Sequence, residues 1–368
     1  MKNFRWSLTK KEFNIWRTTI QNCFESYQET DKNEKAELLK FLVNEKVAPF
    51  YYLKCKERIE DKELKNTLKS SYFHFLAANI IYREKVKNII RLLNSVGVVP
   101  LILKGIDLQD NLYEKPEMRP SSDLDLLILD EEDYKKALEM IFSLGYQLYL
   151  YRSPKYPFMF SKDVVLMPSR NDGLMIELHH GLRFGKFDKR RQYDEIFYQK
   201  DNLILYDKGD IKYFGLDKEA LYVYLSYHTF VSHQDCNRLM WIFDLILLKD
   251  KVDEKKQMEL ASKSDMEETL KESQKVLEDL LRKQIAAPCQ FVREKEILNY
   301  DILKLADEFI NIRGIAKKIV WLSIWFFPKK EFLKKRYGED KCLTRLYIFY
   351  YVRFLKRLFE TAKGILYE

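Results

Sequence analysis

Arg119-Pro120-Ser121-Ser122-Asp123-Leu124-Asp125-Leu126-Leu127 decides how this chain is read. Asp123 to Leu129 is a strand: its leucines and isoleucine form a short apolar run after a Pro/Ser turn. Successive side chains on a strand take opposite faces, so Asp123 and Asp125 share one face, and Leu124 and Leu126 point into the core from the other. Two carboxylates side by side repel each other, and a bound divalent cation offsets that repulsion. Mg²⁺ suits such a pair, because it takes hard oxygen ligands, often one or two carboxylates together with substrate phosphates.

Upstream stands Leu103-Lys104-Gly105-Ile106-Asp107-Leu108. Val98 to Leu103 is a short buried strand after Gly97, and Lys104-Gly105 ends it and opens a helix, a place for phosphates. Downstream, Glu131 to Ser143 is an amphipathic helix ended by Gly145. Val164–Met167 and Leu174–His179 form a hairpin with Ser169–Gly173 as its turn. Glu177 lies mid-strand in that hairpin and becomes a third convergent acid if its strand lies beside the first. Leu203–Tyr206 and Ile211–Phe214 add short edge strands. Strands mixed with helices over residues 98–215 describe an α+β core.

Both flanks read as helical. In residues 1–97 apolar positions recur at helical spacing, as in Leu39, Leu42, Val43 and Val47, then Phe73, Leu76, Ile80 and Ile81. Residues 216–312 hold helices at Leu221–Phe230, Arg238–Leu248 and Met266–Leu281, and residues 313–368 form a last segment rich in aromatics and Lys/Arg. The expected organisation is thus a small mixed-sheet core, 98–215, embedded in helical regions at 1–97, 216–312 and 313–368.

Composition excludes several classes. A chain of 368 residues, 46% hydrophobic, is not disordered, and 11 Gly with 9 Pro excludes collagen-like and turn-rich all-β proteins. The five cysteines are scattered without a CxxC pair, which fits a reducing cytoplasm rather than a disulfide scaffold or structural zinc site. The N-terminus shows no secretory h-region, and the longest apolar run, Ile319 to Phe327, is too short to span a bilayer. The net charge of +8 is localised: residues 313–368 carry 14 Lys/Arg and 5 Asp/Glu, net +9, leaving 50 basic and 51 acidic residues elsewhere, net −1. Within that segment Leu343 to Leu366 is a long helix, with Leu346, Phe349, Tyr350, Phe354 and Leu358 among basic residues. It is either an interfacial helix on anionic lipid or on nucleic acid, or a helix packed on the body with a solvated basic face. Lipid would make the protein membrane-peripheral.

The histidines divide. His179 shares the Glu177 face and is a candidate pocket residue, as is His228, whereas His180 faces away and His74 is core or surface. His228 and His233, five apart, do not share an α-helical face, which argues against a zinc site. Asp244, an acid in the apolar run Trp241 to Ile246, reads as a structural anchor paired with Arg238 or a histidine.

The order Leu-Lys-Gly at 103–105, Tyr113, Arg119, Asp123-Leu124-Asp125-Leu126-Leu127 and Glu177-Leu178-His179 resembles the nucleotidyltransferase superfamily with the DNA polymerase β-type palm. It is similar, more narrowly, to a poorly characterised bacterial nucleotidyltransferase family, whose helical tail motif is matched by His228, His233, Arg238-Leu239, Trp241 and Asp244. The resemblance covers roughly residues 98 to 250. It implies that Asp123, Asp125 and Glu177 bind Mg²⁺ or Mn²⁺, with Glu177 helping to orient or deprotonate an acceptor hydroxyl. Lys104 and Gly105 stand where the superfamily has a Gly-Ser pair touching the triphosphate, and Glu177 where the family more often has Asp. Lys104 and Arg119 would offset phosphate charge, and Ser121 and Ser122 would donate hydrogen bonds to phosphate.

Two functions follow. The first is metal-dependent transfer of NMP from an NTP to an acceptor, which is a small molecule, protein, saccharide or RNA. The second is a non-catalytic adaptor on the same fold, acting through its helices and basic tail. Convergence of Asp123, Asp125 and Glu177 favours the first.

Overall fold

The computed structural model describes residues 10–28, 34–149, 151–169, 173–233, 238–281, 305–338 and 342–366. The middle of the Ser169–Gly173 turn, and residues 282–304 of the region expected over 216–312, lie outside the described residues.

Helices α1 (Lys10–Phe24), α2 (Lys35–Asn44), α3 (Ala48–Cys55) and α4 (Lys62–Ser95) come first. Asp61 caps α4, its side chain accepting from the Leu64 N–H at 2.7 Å. At the other end Gly97 takes φ +80°, which lets Gly97 and Val98 donate back to Asn94 and Leu93 and reverses the chain into the sheet. The apolar positions of α4 divide in a way their spacing does not predict. Tyr82, Val86, Ile89 and Leu93 are buried, whereas Phe73, Ile80 and Ile81 are exposed. The middle of this stripe is surface, because the sheet covers only the C-terminal part of this 34-residue helix.

The sheet has seven strands in the order β3-β4-β5-β2-β1-β7-β6. These are β1 (Leu101–Ile102), β2 (Asp123–Leu127), β3 (Tyr146–Leu148), β4 (Asp163–Pro168), β5 (Met175–His179), β6 (Leu203–Asp207) and β7 (Lys212–Leu216). β2 runs parallel to β5 and antiparallel to β1; β1 runs parallel to β7. The strand expected over Val98–Leu103 is shorter in the ladder, since Pro100 has no N–H to give. The strand expected at Ile211–Phe214 is interior rather than an edge: Phe214 pairs with Leu101, and only β6 lies outside it. The N-terminal strand-following helix α5 (Ile106–Asn111) opens at Gly105, as Lys104-Gly105 implied.

Helix α6 (Glu131–Ser143) has the bounds read from the sequence. The Asp130 carboxylate accepts from the Glu132 and Asp133 N–H groups, both 2.9 Å, and three acids in the first turn complement the helix dipole. A short helix, α7 (Tyr156–Met159), precedes β4. Leu124, Leu126, Ile176 and Leu178 form a core with α4 and α6, on the face opposite the acids.

After β7 come α8 (Lys218–Tyr227), a π-turn (His228–Ser232), α9 (Leu239–Lys249), α10 (Glu254–Lys263) and α11 (Glu267–Leu281). They share one apolar core with α1, α2 and α3, so Trp16, Phe50, Leu225, Phe243 and Leu270 belong to a single cluster. Helices α12 (Ile315–Phe326), α13 (Lys330–Tyr337) and α14 (Leu343–Leu366) follow, the last two sharing a smaller core of Phe332, Leu333, Leu346 and Tyr350. Among the described residues no helix is long and apolar enough to cross a membrane.

Candidate active site

Parallel pairing of β2 with β5 builds the site. Its register sets Asp125 opposite Glu177 and Leu127 opposite His179. Alternation then puts Asp123, Asp125, Glu177 and His179 on one face of two adjacent strands. Atoms of Asp125, Glu177 and His179 able to bind a metal all lie within 4.8 Å of one another. The tight group therefore holds two of the three expected acids, with His179 as its third member. Asp123 lies outside it, at the cavity wall two residues nearer the loop.

The group is buried and electrostatically tight. His179 Nε2 is 3.5 Å from Asp125 Oδ1 and 3.7 Å from Glu177 Oε2, and its Nδ1 is 3.9 Å from Asp163 Oδ2. All three distances exceed a normal hydrogen bond, so both buried ring nitrogens stay unsatisfied. Lys104 reaches Asp125 Oδ1 at 3.1 Å, because the Leu103 N–H donates to the Asp125 carbonyl and extends the β1–β2 pairing by one residue. Burial opposes ionisation of Asp125, but Lys104 and His179 beside it hold the carboxyl well below the usual range. Burial likewise opposes the charge on Lys104 and His179, and the surrounding carboxylates outweigh it and raise both. Glu177 is raised, by burial and then by Asp125. Two carboxylates and an imidazole with unsatisfied nitrogens form a donor set that could hold a divalent metal ion.

A cavity of about 280 Å³ opens in front of Asp123 and Asp125. Lys104, Gly105, Arg119, Ser121 and Ser122 line it, while Glu177, His179 and His228 are not among its walls. Two of these residues are further constrained. Gly105 takes φ +65° and ψ −118°, and a Cβ there would sit 2.2 Å from Tyr82 Oη. That hydroxyl donates to the Asp123 carbonyl at 3.1 Å. Arg119 gives the fork of its guanidinium to Asp244, Nε to Oδ1 and Nη2 to Oδ2, both 2.8 Å. Arg119 is thus Asp244's partner, in place of Arg238 or a histidine, and it faces the cavity as a fixed charge rather than an open clamp.

Of the far wall, only His233, Arg238 and Trp241 stand out in the sequence, as parts of the helical tail motif. That wall consists of Glu45, Lys46, His233, Arg238, Met240 and Trp241. Lys46 Nζ donates to Ser122 Oγ at 2.8 Å across 76 residues of sequence. Burial, with Arg238 and Arg119 nearby, pulls Lys46 below an ordinary lysine, against the opposing field of Asp123. Lys46 also holds φ +59° at the end of α2, where glycine is usual. No local signal in Asn44-Glu45-Lys46 points to a site.

His228 and His233 meet after all. The π-turn closes a bond from the His233 N–H to the His228 carbonyl at 3.2 Å, and an i to i+5 turn brings residues five apart onto one face. Their ring centroids are 4.5 Å apart, and each packs on Trp241, at 4.8 and 5.0 Å. His228 is buried behind Lys104, Nε2 to Nζ 3.5 Å, and burial together with that ammonium holds it well below an ordinary histidine. His233 and Trp241 present the aromatic wall to the cavity.

A family of proteins described as uncharacterised nucleotidyltransferase matches residues 31–282. The chain belongs to that family. The matched span takes in the sheet, the acid cluster and the helical wall from Lys46 to Trp241, so every cavity residue named above falls inside the nucleotidyltransferase unit. Family membership supports a role in nucleotidyl transfer. Among solved structures the chain is similar to an antigenic nucleotidyltransferase-like protein from Paracoccidioides brasiliensis. The two are 14% identical, over 55% of this chain and 95% of that one, with a TM-score of 0.34, which is too low to inform the site. No curated protein matches the chain.

Proposed function

We propose that this protein is a metal-dependent nucleotidyltransferase that moves NMP from an NTP to an acceptor hydroxyl or phosphate. One observation carries the reading: Asp123 and Asp125 face a cavity whose opposite wall is cationic and aromatic, and the β2–β5 register sets Glu177 beside Asp125. Asp123, Asp125 and Glu177, with His179 beneath them, would hold Mg²⁺ or Mn²⁺, which supplies charge stabilisation at the α-phosphate and at the departing pyrophosphate.

The chain's own groups do the rest. Lys46, Arg238 and Lys104 set positive charge around the triphosphate, and Ser121 and Ser122 donate to its oxygens. Trp241 and His233 offer a stacking face to the base. Glu177, half-buried beside Asp125, orients the acceptor hydroxyl and takes its proton. The acceptor oxygen bonds to the α-phosphorus, the bond from α-phosphorus to the bridging oxygen breaks, and pyrophosphate leaves. Fixed charges in a site partly shielded from water need no reorganisation during the step.

Incubation with each α-labelled NTP, Mg²⁺ or Mn²⁺ and cell lysate tests this. Label should pass to an acceptor, and Asp125→Asn or Glu177→Gln should reduce transfer by about 10²–10³-fold or more. Transfer that survives Asp125→Asn would refute the site. Absence of both NTP binding and transfer would support the adaptor reading.

A further inference from the structure

Positive charge and exposed apolar surface coincide in the C-terminal helices. Residues 313–368 hold the whole charge excess, net +9 against −1 for the rest of the chain. The same helices carry two regular stripes of exposed apolar side chains. On α12 these are Ile315, Ile319, Leu322 and Phe326, between 36% and 79% exposed. Steps of four, three and four put them on one helical face. On α14, Ile348, Val352 and Leu355 repeat the spacing at 52–58% exposure. Arg345, Arg353 and Lys356 flank that second stripe and are exposed as well.

These stripes are not a core left without a partner, because the helices are already held by their other faces. Leu346 and Tyr350 of α14 are buried against Phe332 and Leu333 of α13. The Tyr350 and Tyr351 hydroxyls donate to the Trp325 and Phe326 carbonyls, both 2.5 Å, and the Phe326 and Phe354 rings are 6.1 Å apart, so the ends of α12 and α14 adjoin. The unit is fixed to the body as well: Arg152 stacks 3.6 Å over Trp325, its carbonyl accepts from the Lys329 N–H at 2.9 Å, and the Arg313 N–H donates to the Phe187 carbonyl at 2.8 Å.

We propose that this surface docks the protein on an anionic lipid bilayer. The aliphatic stripes enter the boundary between headgroups and acyl chains, and the Lys/Arg beside them meet lipid phosphates. Charge and side-chain chemistry select this occupant. RNA would pair with the cations but leave isoleucine, valine and leucine in water, since single-stranded RNA is held by stacking on aromatic rings. A second copy of the chain would set +9 against +9. With no spanning helix among the described residues, the attachment is peripheral.

Co-sedimentation of the full chain with phosphatidylcholine vesicles, with and without an equal part of phosphatidylglycerol, tests the proposal. The protein should pellet with the anionic vesicles and bind the neutral ones at least tenfold more weakly. Raising salt from about 0.1 to 0.5 M should weaken the anionic binding. Ile348→Glu/Val352→Glu should lower vesicle binding at least tenfold with the circular dichroism and melting temperature unchanged, since both sites are exposed. Arg353→Glu/Lys356→Glu should weaken binding to anionic vesicles alone. Asp125→Asn should bind vesicles like the wild type, which separates this surface from the active-site reading. A wild-type protein that stays in the supernatant, or a double apolar variant that pellets like it, would overturn the proposal. So would a single-stranded RNA retained equally by that variant without vesicle binding, or a dimer that the variant dissolves.

Discussion

Arg119 and Asp244, 125 residues apart, close a buried two-point ion pair, with Tyr113 Oη donating to the same carboxylate at 2.6 Å. The pair ties the loop that delivers β2 to the first half of α9, and so fixes the distance between the acid cluster and the Trp241 wall. A guanidinium fork matches a carboxylate in both geometry and charge. Removing one partner leaves the other charged and dry. Asp244→Ala should therefore cost about 3–5 kcal/mol of stability in urea unfolding. Arg119→Met/Asp244→Leu should cost clearly less than the two single substitutions added together. Strict additivity would show that the pair does not hold these elements.

Gly105 has two separable constraints. Its backbone lies where a side chain is strained, and a Cβ would meet Tyr82 Oη at 2.2 Å. Gly105→Ala should destabilise by about 2–5 kcal/mol, combining backbone strain with overpacking. Adding Tyr82→Phe removes the hydroxyl and should recover the packing share only, leaving about 1–3 kcal/mol of strain. Full recovery in thermal melts would show that the left-handed backbone costs nothing here.

Lys46 sets stability against ligand binding. Lysine at φ +59° is disfavoured, and glycine relieves it. Lys46→Gly should thus be neutral or stabilising by up to about 1 kcal/mol. The same change removes a cation from the cavity wall and should raise the KM for NTP about tenfold with kcat little altered, the loss of about 1.4 kcal/mol of uniform binding. An unchanged KM would exclude Lys46 from the triphosphate site.

Asp107 predicts a pH dependence. Burial raises its carboxyl to about 7, against the hydrogen bond from Asn111 Nδ2, 2.7 Å. Its folded pKa thus lies above the unfolded value, so the neutral form is favoured in the fold. As pH rises from about 4 to 7 the unfolded chain releases a proton that the folded one keeps, and stability falls across that window. Asp107→Asn keeps the acceptor for Asn111 without the charge. The variant should match the wild type near pH 4 and be about 2–4 kcal/mol more stable at pH 8, from denaturant titrations at both. A constant difference between the two pH values would assign the burial cost to something else.

The parts legible in the sequence were those with a short period. Alternation on Asp123–Leu127 and Met175–His179 placed the acids on one face and the leucines in the core, and the structure has both. Amphipathic spacing with Gly145 after the last turn gave α6 its bounds. Periodicity marked helices but said nothing about what lay opposite them. Phe73, Ile80 and Ile81 keep helical spacing and remain exposed, because the sheet packs only further along α4. Residues five apart do not share an α-helical face, so His228 and His233 diverge on spacing alone; the π-turn makes them neighbours. The three-residue strand β3 carried too little pattern to stand out.

Sequence alone thus determined the strand that carries Asp123 and Asp125, the face they share and the concentration of charge in residues 313–368, because each rests on local geometry or counting. Tertiary structure decided everything that depends on what comes across space. The β2–β5 register brought Glu177 to Asp125, a π-turn turned His233 and His228 onto Trp241, and the end of α2 carried Lys46 to Ser122. It also gave Arg119 to Asp244 rather than leaving it open to phosphate. Such pairings are set by which buried charges and surfaces satisfy one another once the chain is closed, and no spacing along the chain encodes them.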